Sequence, residues 1–263
     1  MPCVIGLDIG SSRAKGILLR EGGIMAFHDR PSGGNLKATA DRVRRELLSQ
    51  AGVSAHEVIR TIAAGHGAKQ VSFADGSRSD VGCIGRGIHR LAPTVRTVVD
   101  VGDLYSKVVR IDANGGVTKF LLSGKCAGGS GRVLQVIAKV LQVRVEDIGP
   151  LSMKSRNRVD FNTGCVVFAE SEAISRIAEG VPKEDLLAGI HRALAAQLQS
   201  LLERVGIQED VTLVGGGARD AGLVKAMEQA TGLEIVVPER PHLTEALGAA
   251  LIAEEEAGNK TTA

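Results

Sequence analysis

The chain has 263 residues, 44% of them apolar and 24% charged, with 33 glycines and a formal net charge of +2. This is enough apolar material for one large or two modest domains, and it excludes a disordered segment. One tyrosine, five phenylalanines and no tryptophan leave neither the stacking platforms nor the basic stripe of a nucleic-acid binder, so no DNA or RNA partner is expected.

Met1 leads directly into the apolar run CVIGL and the acidic Asp8, with no basic leader. No apolar stretch approaches the roughly 18 residues of a membrane span, so no membrane partner is expected and the compartment reads as cytoplasmic. In that reducing setting, Cys3, Cys83, Cys126 and Cys165 point to metal or redox chemistry rather than disulfides.

PCVIGLDIG reads as a buried strand ending in a turn, and AKGILLREGGIMAFHD as two strands about a Glu21-Gly22-Gly23 hairpin. A helix follows from about Leu36 to Ala51, with Asp41 to Glu46 as its solvated face. Val58 to Ala64 is a strand stopped by Gly65-His66-Gly67, and Asp80 to Leu91 is helical. The opening pattern then returns: TVVDVGDLYSKVVRIDANGGVTKFLL reads strand, acidic turn, strand, Asn-Gly-Gly hairpin, strand. Asp8-Ile9-Gly10 and Asp100-Val101-Gly102 occupy the same place in the two halves. Two related lobes with a cleft between them are expected, one spanning 1–92 and the other 93–263.

The second half is mostly helical. Gly131 to Val143 is a helix, and leucines from Leu186 to Leu202 trace one stripe of a long one. A strand at Val211 to Val214 ends in Gly215-Gly216-Gly217; a helix from about Asp220 and a strand at Leu233 to Val237 follow. A last helix, about 243–257, is expected to pack back on the first lobe, with Glu254-Glu255-Glu256 as its fraying end.

Three of these turns suit one nucleotide. Gly10, Ser11 and Ser12 offer backbone N–H groups and hydroxyls to a phosphate, with Lys15 as a cationic contact on the next strand. The equivalent turn runs from Asp100 to Lys107, and paired carboxylates suit a hydrated Mg2+ on nucleotide phosphates. In LVGGGARD, a glycine triplet after a strand lets adenosine or its phosphates approach the backbone. His66 and His191 receive no role, and Cys3 and Cys83 are expected in the core.

Cys126 lies in KCAGGSGR, a glycine-rich segment that runs into a helix, and Cys165 in FNTGCVVFAESE, ahead of another. Thiolates facing helix N-termini are favoured by free N–H groups and the helix dipole. One chain supplies two such ligands, whereas a cubane cluster takes four, so two chains would have to share it. Four thiolates across an interface also suit zinc.

KCAGGSGR, CVVFAESEAISRIAEG, AGIHRALA, LVGGGARD and ALGAALIA resemble, in order and spacing, the activators (component A) of 2-hydroxyacyl-CoA dehydratases and the ATPase subunits of benzoyl-CoA reductase. These belong to the superfamily of acetate and sugar kinases, heat-shock chaperone ATPases and actin. The resemblance implies an α/β, two-lobed actin-like ATPase fold of duplicated ribonuclease-H-like domains. It also implies an ATPase that passes single electrons from one [4Fe–4S] cluster per dimer to an acceptor iron–sulfur dehydratase or reductase. The other partners implied are a second copy or a related ATPase subunit, and an upstream ferredoxin- or flavodoxin-like donor.

Carried over, Cys126 and Cys165 are the cluster ligands, and Asp8 and Asp100 the catalytic carboxylates. Gly10, Ser11, Ser12, Lys15, Gly102, Asp103, Lys107, Gly215, Gly216 and Gly217 contact ATP or ADP with Mg2+. One departure stands out. Relatives carry Gly-Gly-Gln-Asp at the second acidic turn, where this chain has Gly102-Asp103-Leu104-Tyr105. The glutamine suited to orienting water is absent, which implies differently organised hydrolysis or a heterodimer whose partner keeps the complete turn. A small-molecule kinase is the alternative that the fold alone leaves open.

Overall fold

The computed structural model describes residues 2–124, 127–161 and 166–261. The chain divides into two units: Met1–Thr94, Ile111–Val117 and Leu243–Ala263 form the first, and Val95–Arg110 with Thr118–His242 the second.

In the first unit β1 (Cys3–Ile9), β2 (Arg13–Arg20), β3 (Gly23–Pro31), β4 (Val58–Ala64) and β5 (Gly76–Ser77) form a mixed sheet in the order β3-β2-β1-β4-β5. β1 to β3 meander antiparallel, while β4 and β5 run parallel to β1. All seven residues of β1 are buried, as a strand covered on both faces requires. One face carries α1 (Leu36–Ala51), N-capped by Asn35 Oδ1, with Val43 and Leu47 against Leu7 and Leu18. The other carries α2 (Asp80–Leu91) and α8 (Thr244–Thr261), which pack Ile62, Cys83, Ala246 and Ala250 into one cluster. Small residues permit close approach there: a Cβ on Gly6 would meet the Ala250 backbone nitrogen at 2.1 Å, and one on Gly248 the Cys83 carbonyl oxygen at 1.7 Å.

The acidic triplet is not a fraying end. Glu254 accepts from the Gly22 N–H at 2.8 Å, Glu255 pairs with Arg86, and Glu256 pairs with both Arg60 and Arg78. With its carboxylates held, the helix continues to Thr261, beyond the expected limit of 257.

The second unit repeats the plan. β6 (Thr97–Val101), β7 (Ser106–Ile111), β8 (Val117–Leu122), β9 (Val211–Val214) and β10 (Ile235–Val236) give the order β10-β9-β6-β7-β8, the first sheet's order with each strand replaced by its counterpart. β10 is shorter than the expected 233–237, pairing with β9 through only two residues before Pro238. The helices are α3 (Arg132–Val140), α4 (Ile148–Ser152), α5 (Val166–Ala178), α6 (Lys183–Val205) and α7 (Ala221–Thr231). α3 ends three residues before the expected Val143, because Gln142 turns to a φ of +53°. α6 buries Leu186, Leu187, Ile190, Leu194, Leu198, Leu201 and Leu202, and with α3, α5 and α7 it closes one core. No helix among the described residues is long and apolar enough to cross a membrane.

Candidate nucleotide site

Each sheet carries the same device at the end of its first strand. In the first unit β1 delivers Asp8, 5% exposed, opposite Lys15 in the antiparallel register, and Lys15 Nζ lies 2.7 Å from Asp8 Oδ2. A buried carboxylate needs such a partner, because leaving it unpaired costs several kcal/mol of desolvation. The chain then turns at Gly10, whose N–H donates to the Arg13 carbonyl at 3.1 Å. The Gly10 carbonyl accepts from Ser32 Oγ at 2.6 Å and the Ser12 carbonyl from the Ser32 N–H at 2.9 Å. Ser11 is exposed and Ser12 half-buried beside it. β4, parallel to β1, ends at Ala64 beside Asp8 and passes into Gly65-His66-Gly67. Gly65 has a φ of +82°, and a Cβ there would sit 2.5 Å from Asp8 Oδ1. The Gly67 N–H donates to the Ile9 carbonyl at 2.8 Å.

The second unit matches this step by step. Asp100, 6% exposed, faces Lys107 in register, with Lys107 Nζ 2.9 Å from Asp100 Oδ2. The Tyr105 ring lies 5.6 Å from the same ammonium. Gly102 makes the turn, its carbonyl accepting from the Gly131 N–H at 2.8 Å. β9 ends at Val214 beside Asp100 and passes into Gly215-Gly216-Gly217. Gly215 again has a φ of +82°, and a Cβ there would come within 2.2 Å of Asp100 Oδ1. Only glycine satisfies both the left-handed backbone and the carboxylate beside it.

Within the first unit, Asp8, Gly10, Ser12 and Lys15 thus gather at one strand end. Within the second, Asp100, Gly102, Lys107 and Gly215 to Gly217 do the same. Asp103 is committed locally: its carboxylate accepts from Gln135 Nε2 at 2.7 Å, lies 3.5 Å from Arg132, and its carbonyl accepts from Ser130 Oγ at 2.9 Å. Cys126 and Cys165 lie outside the described residues. Cys3 and Cys83 are fully buried. Burial, then the nearby carboxylates of Glu245, Asp8 and Asp80, push the Cys83 thiol well above its usual range and keep it protonated. Among the described residues no cluster of three or more His, Cys, Asp or Glu is placed to hold a metal ion.

Two features escaped the reading of the sequence. Gly65-His66-Gly67-Ala68 is the counterpart of Gly215-Gly216-Gly217-Ala218, each following a strand parallel to the first and opening a short 3-10 turn. The equal offset from the strand ends was the available signal, and His66 in the middle disguised it. The second is Asp185 on α6, which gathers the segment preceding Cys165. Ser155 Oγ, the Arg156 and Asn157 N–H groups and Asn157 Nδ2 all donate to its carboxylate at 2.8–3.1 Å. Burial works to raise its pKa, but these donors, Asn157 foremost, outweigh burial and hold it at about 2.

Two mixed five-stranded sheets with duplicated strand ends and flanking helices define a two-lobed α/β fold of the actin-like ATPase kind. A ROK family glucokinase from Streptomyces griseus shares the fold at a TM-score of 0.61 and 14% identity, covering 96% of this chain and 99% of that one. The chain belongs to the BadF/BadG/BcrA/BcrD ATPase family, whose profile matches residues 5–253. It is 41% identical over 253 residues to the 2-hydroxyisocaproyl-CoA dehydratase activator of Clostridioides difficile, covering 96% of this chain and 95% of the relative. The structure of the Clostridium difficile activator with bound ADPNP superposes at a TM-score of 0.95 and 40% identity, covering 99% of this chain and 97% of that one. A benzoyl-CoA reductase component of Thauera aromatica is 32% identical, covering 95% of this chain and 93% of the relative.

Proposed function

We propose that this chain is an ATP-dependent activator that delivers low-potential electrons to a 2-hydroxyacyl-CoA dehydratase or a similar reductase. The observation that carries the reading is the duplicated carboxylate, lysine and glycine device, in a chain that superposes on a Clostridium difficile activator with bound ADPNP. In the first unit the turn that Gly10 makes presents Ser11 and Ser12 to a phosphate, with Lys15 holding the charge balance, and in the second unit the turn at Gly102 and Asp103 is suited to the same task beside Lys107. Asp8 in the first unit and Asp100 in the second are each suited to orient waters of a phosphate-bound Mg2+, and Gly215 to Gly217 in the second unit let an adenosine lie against the backbone.

The donor set fits an iron–sulfur cluster by its chemistry. Cys3 and Cys83 are sealed in the core of the first unit, which leaves Cys126 and Cys165, two thiols per chain, for a group that takes four. A second copy or a related ATPase subunit supplies the other pair. When bound, a [4Fe–4S] cluster supplies one-electron transfer whose potential responds to hydrogen bonding and solvation at its sulfurs. ATP is consumed as a gate, and nothing need be phosphorylated. The protein works in the cytoplasm beside a ferredoxin- or flavodoxin-like donor.

One observation favours a variant in which this chain is one member of a heteromer of the benzoyl-CoA reductase kind. The run Gly102-Asp103-Leu104-Tyr105 lacks the glutamine expected to orient water in an activator, and the Thauera aromatica reductase component is among the relatives. The test is anaerobic purification with iron, sulfide and solution mass measured together. A brown dimer with about two irons per chain supports the reading, and Cys126→Ser removes the colour while ADP still binds. A colourless protein that phosphorylates a small molecule overturns it, and a brown Cys126→Ser variant overturns the ligand assignment.

A further inference from the structure

The two strand-end turns differ in one respect that the repeat does not require. In the first unit Ser32 closes the turn by binding the Gly10 and Ser12 carbonyls, and the residue after Gly10 is the exposed Ser11. In the second unit Gly131 and Ser130 close the turn in the same way, through the Gly102 and Asp103 carbonyls. The Asp103 side chain is therefore not needed to build the turn. It reaches instead to the first turn of α3, accepting from Gln135 Nε2 at 2.7 Å with Arg132 at 3.5 Å, and its carboxylate is only 17% exposed.

α3 is the helix that the Cys126 segment enters, through the 3-10 turn Ala127–Gly129 and then Ser130 and Gly131. We propose that Asp103 is a positioning residue: its hydrogen bond to Gln135 ties occupancy of the phosphate turn to the placement of α3 and of the segment leading into it. The proposal rests on the nucleotide reading given above. The physical basis is charge. A phosphate arriving at the Gly102 N–H repels the neighbouring Asp103 carboxylate and drives it toward the donors on α3, so the bond tightens when nucleotide is present. A hydrogen bond to an ionised acceptor is the stronger kind, and a pairing 32 residues apart in sequence transmits the effect without a larger rearrangement.

The experiment is hydrogen–deuterium exchange on the full chain with and without ADP, read at the amides of residues 131–140, beside ADP affinity by calorimetry. ADP is expected to slow exchange in that segment about threefold or more in the wild type, as added hydrogen-bond restraint does. Gln135→Leu is expected to lose that slowing while ADP affinity stays within about twofold, because the side chain lies outside the turn. The exchanged pair, Asp103→Asn with Gln135→Glu, restores donor and acceptor in reverse but leaves no carboxylate at residue 103 for the phosphate to repel, and the slowing is expected to stay lost. Should Gln135→Leu fail to fold, Gln135→Met is read in its place. ADP binding with undiminished slowing in either Gln135 variant, or with no slowing in the wild type, overturns the tie alone. Absence of ADP binding in the wild type overturns the nucleotide reading and the tie with it.

Discussion

His191 on α6 and Asp220 at the start of α7 share a buried hydrogen bond, Nε2 to Oδ2 at 2.8 Å. A carboxylate only accepts, so Nε2 carries the proton and donates. The other carboxylate oxygen caps α7, accepting from the Gly222 N–H at 2.9 Å and the Leu223 N–H at 3.3 Å. One side chain thus fixes both the helix after the glycine triplet and its seat on α6. Asp220→Ala removes a cap worth about 1 kcal/mol and strands a buried imidazole at about 1–3 kcal/mol, so a loss of about 2–4 kcal/mol is expected in urea unfolding. Asp220→Asn keeps an acceptor for the cap and is expected to lose less.

Asp185 predicts how the second unit responds to acid. Its folded pKa of about 2 lies below the ordinary 3.8, so its contribution is fully present above about pH 4 and disappears as pH falls toward 2. Wild-type stability measured from pH 5 to pH 2 is expected to decline through that window. Asp185→Asn is expected to be less stable at neutral pH and to show a shallower decline, because its amide cannot accept from all four donors. Equal slopes in the two proteins would remove Asp185 from the account.

At Gly65 and Gly215, alanine is expected to damage nucleotide binding more than folding. Each substitution strains a φ of +82° and presses a methyl against Asp8 or Asp100. The local cost is about 1–3 kcal/mol, and displacement of the carboxylate is expected to weaken ADP binding about tenfold or more by calorimetry. Alanine at Gly216, where no atom lies within 4 Å of an added Cβ, is the steric control for the folded unit.

The acidic triplet of α8 predicts a salt-sensitive anchor. Glu256→Ala unpairs Arg60 and Arg78 together, and about 1 kcal/mol of stability is expected to be lost at low salt and less at high salt. Glu255→Ala, which loses the single partner Arg86, is expected to cost less in the same titration.

What could be read without coordinates was whatever is local. Asp8-Ile9-Gly10 and Asp100-Val101-Gly102 announce strand ends because apolar runs stop at an acid and a glycine, and the hairpins at Gly22 and Gly115 follow from their turn residues. The long α6 was legible from its leucine stripe. The partners of Glu255 and Glu256 lie 169 to 196 residues away, and nothing near residue 256 distinguishes a solvated acid from one seated on two arginines. Asp103 and Gln135 are hidden for the same reason. His66 concealed a repeat of backbone geometry, because that geometry depends on Gly65 and Gly67 and tolerates any residue between them.

The membership of α8 in the first unit sets an order of assembly. Residues 243–261 supply Leu243, Ala246, Leu247, Ala250 and Ala253 to the cluster that covers one face of the β1 sheet. On a ribosome that face carries α2 but lacks α8 while the whole of the second unit emerges and collapses. The part of the molecule synthesised first is therefore the last to be sealed, and a chain stopped short of Leu243 would present a half-covered apolar sheet face to chaperones and proteases.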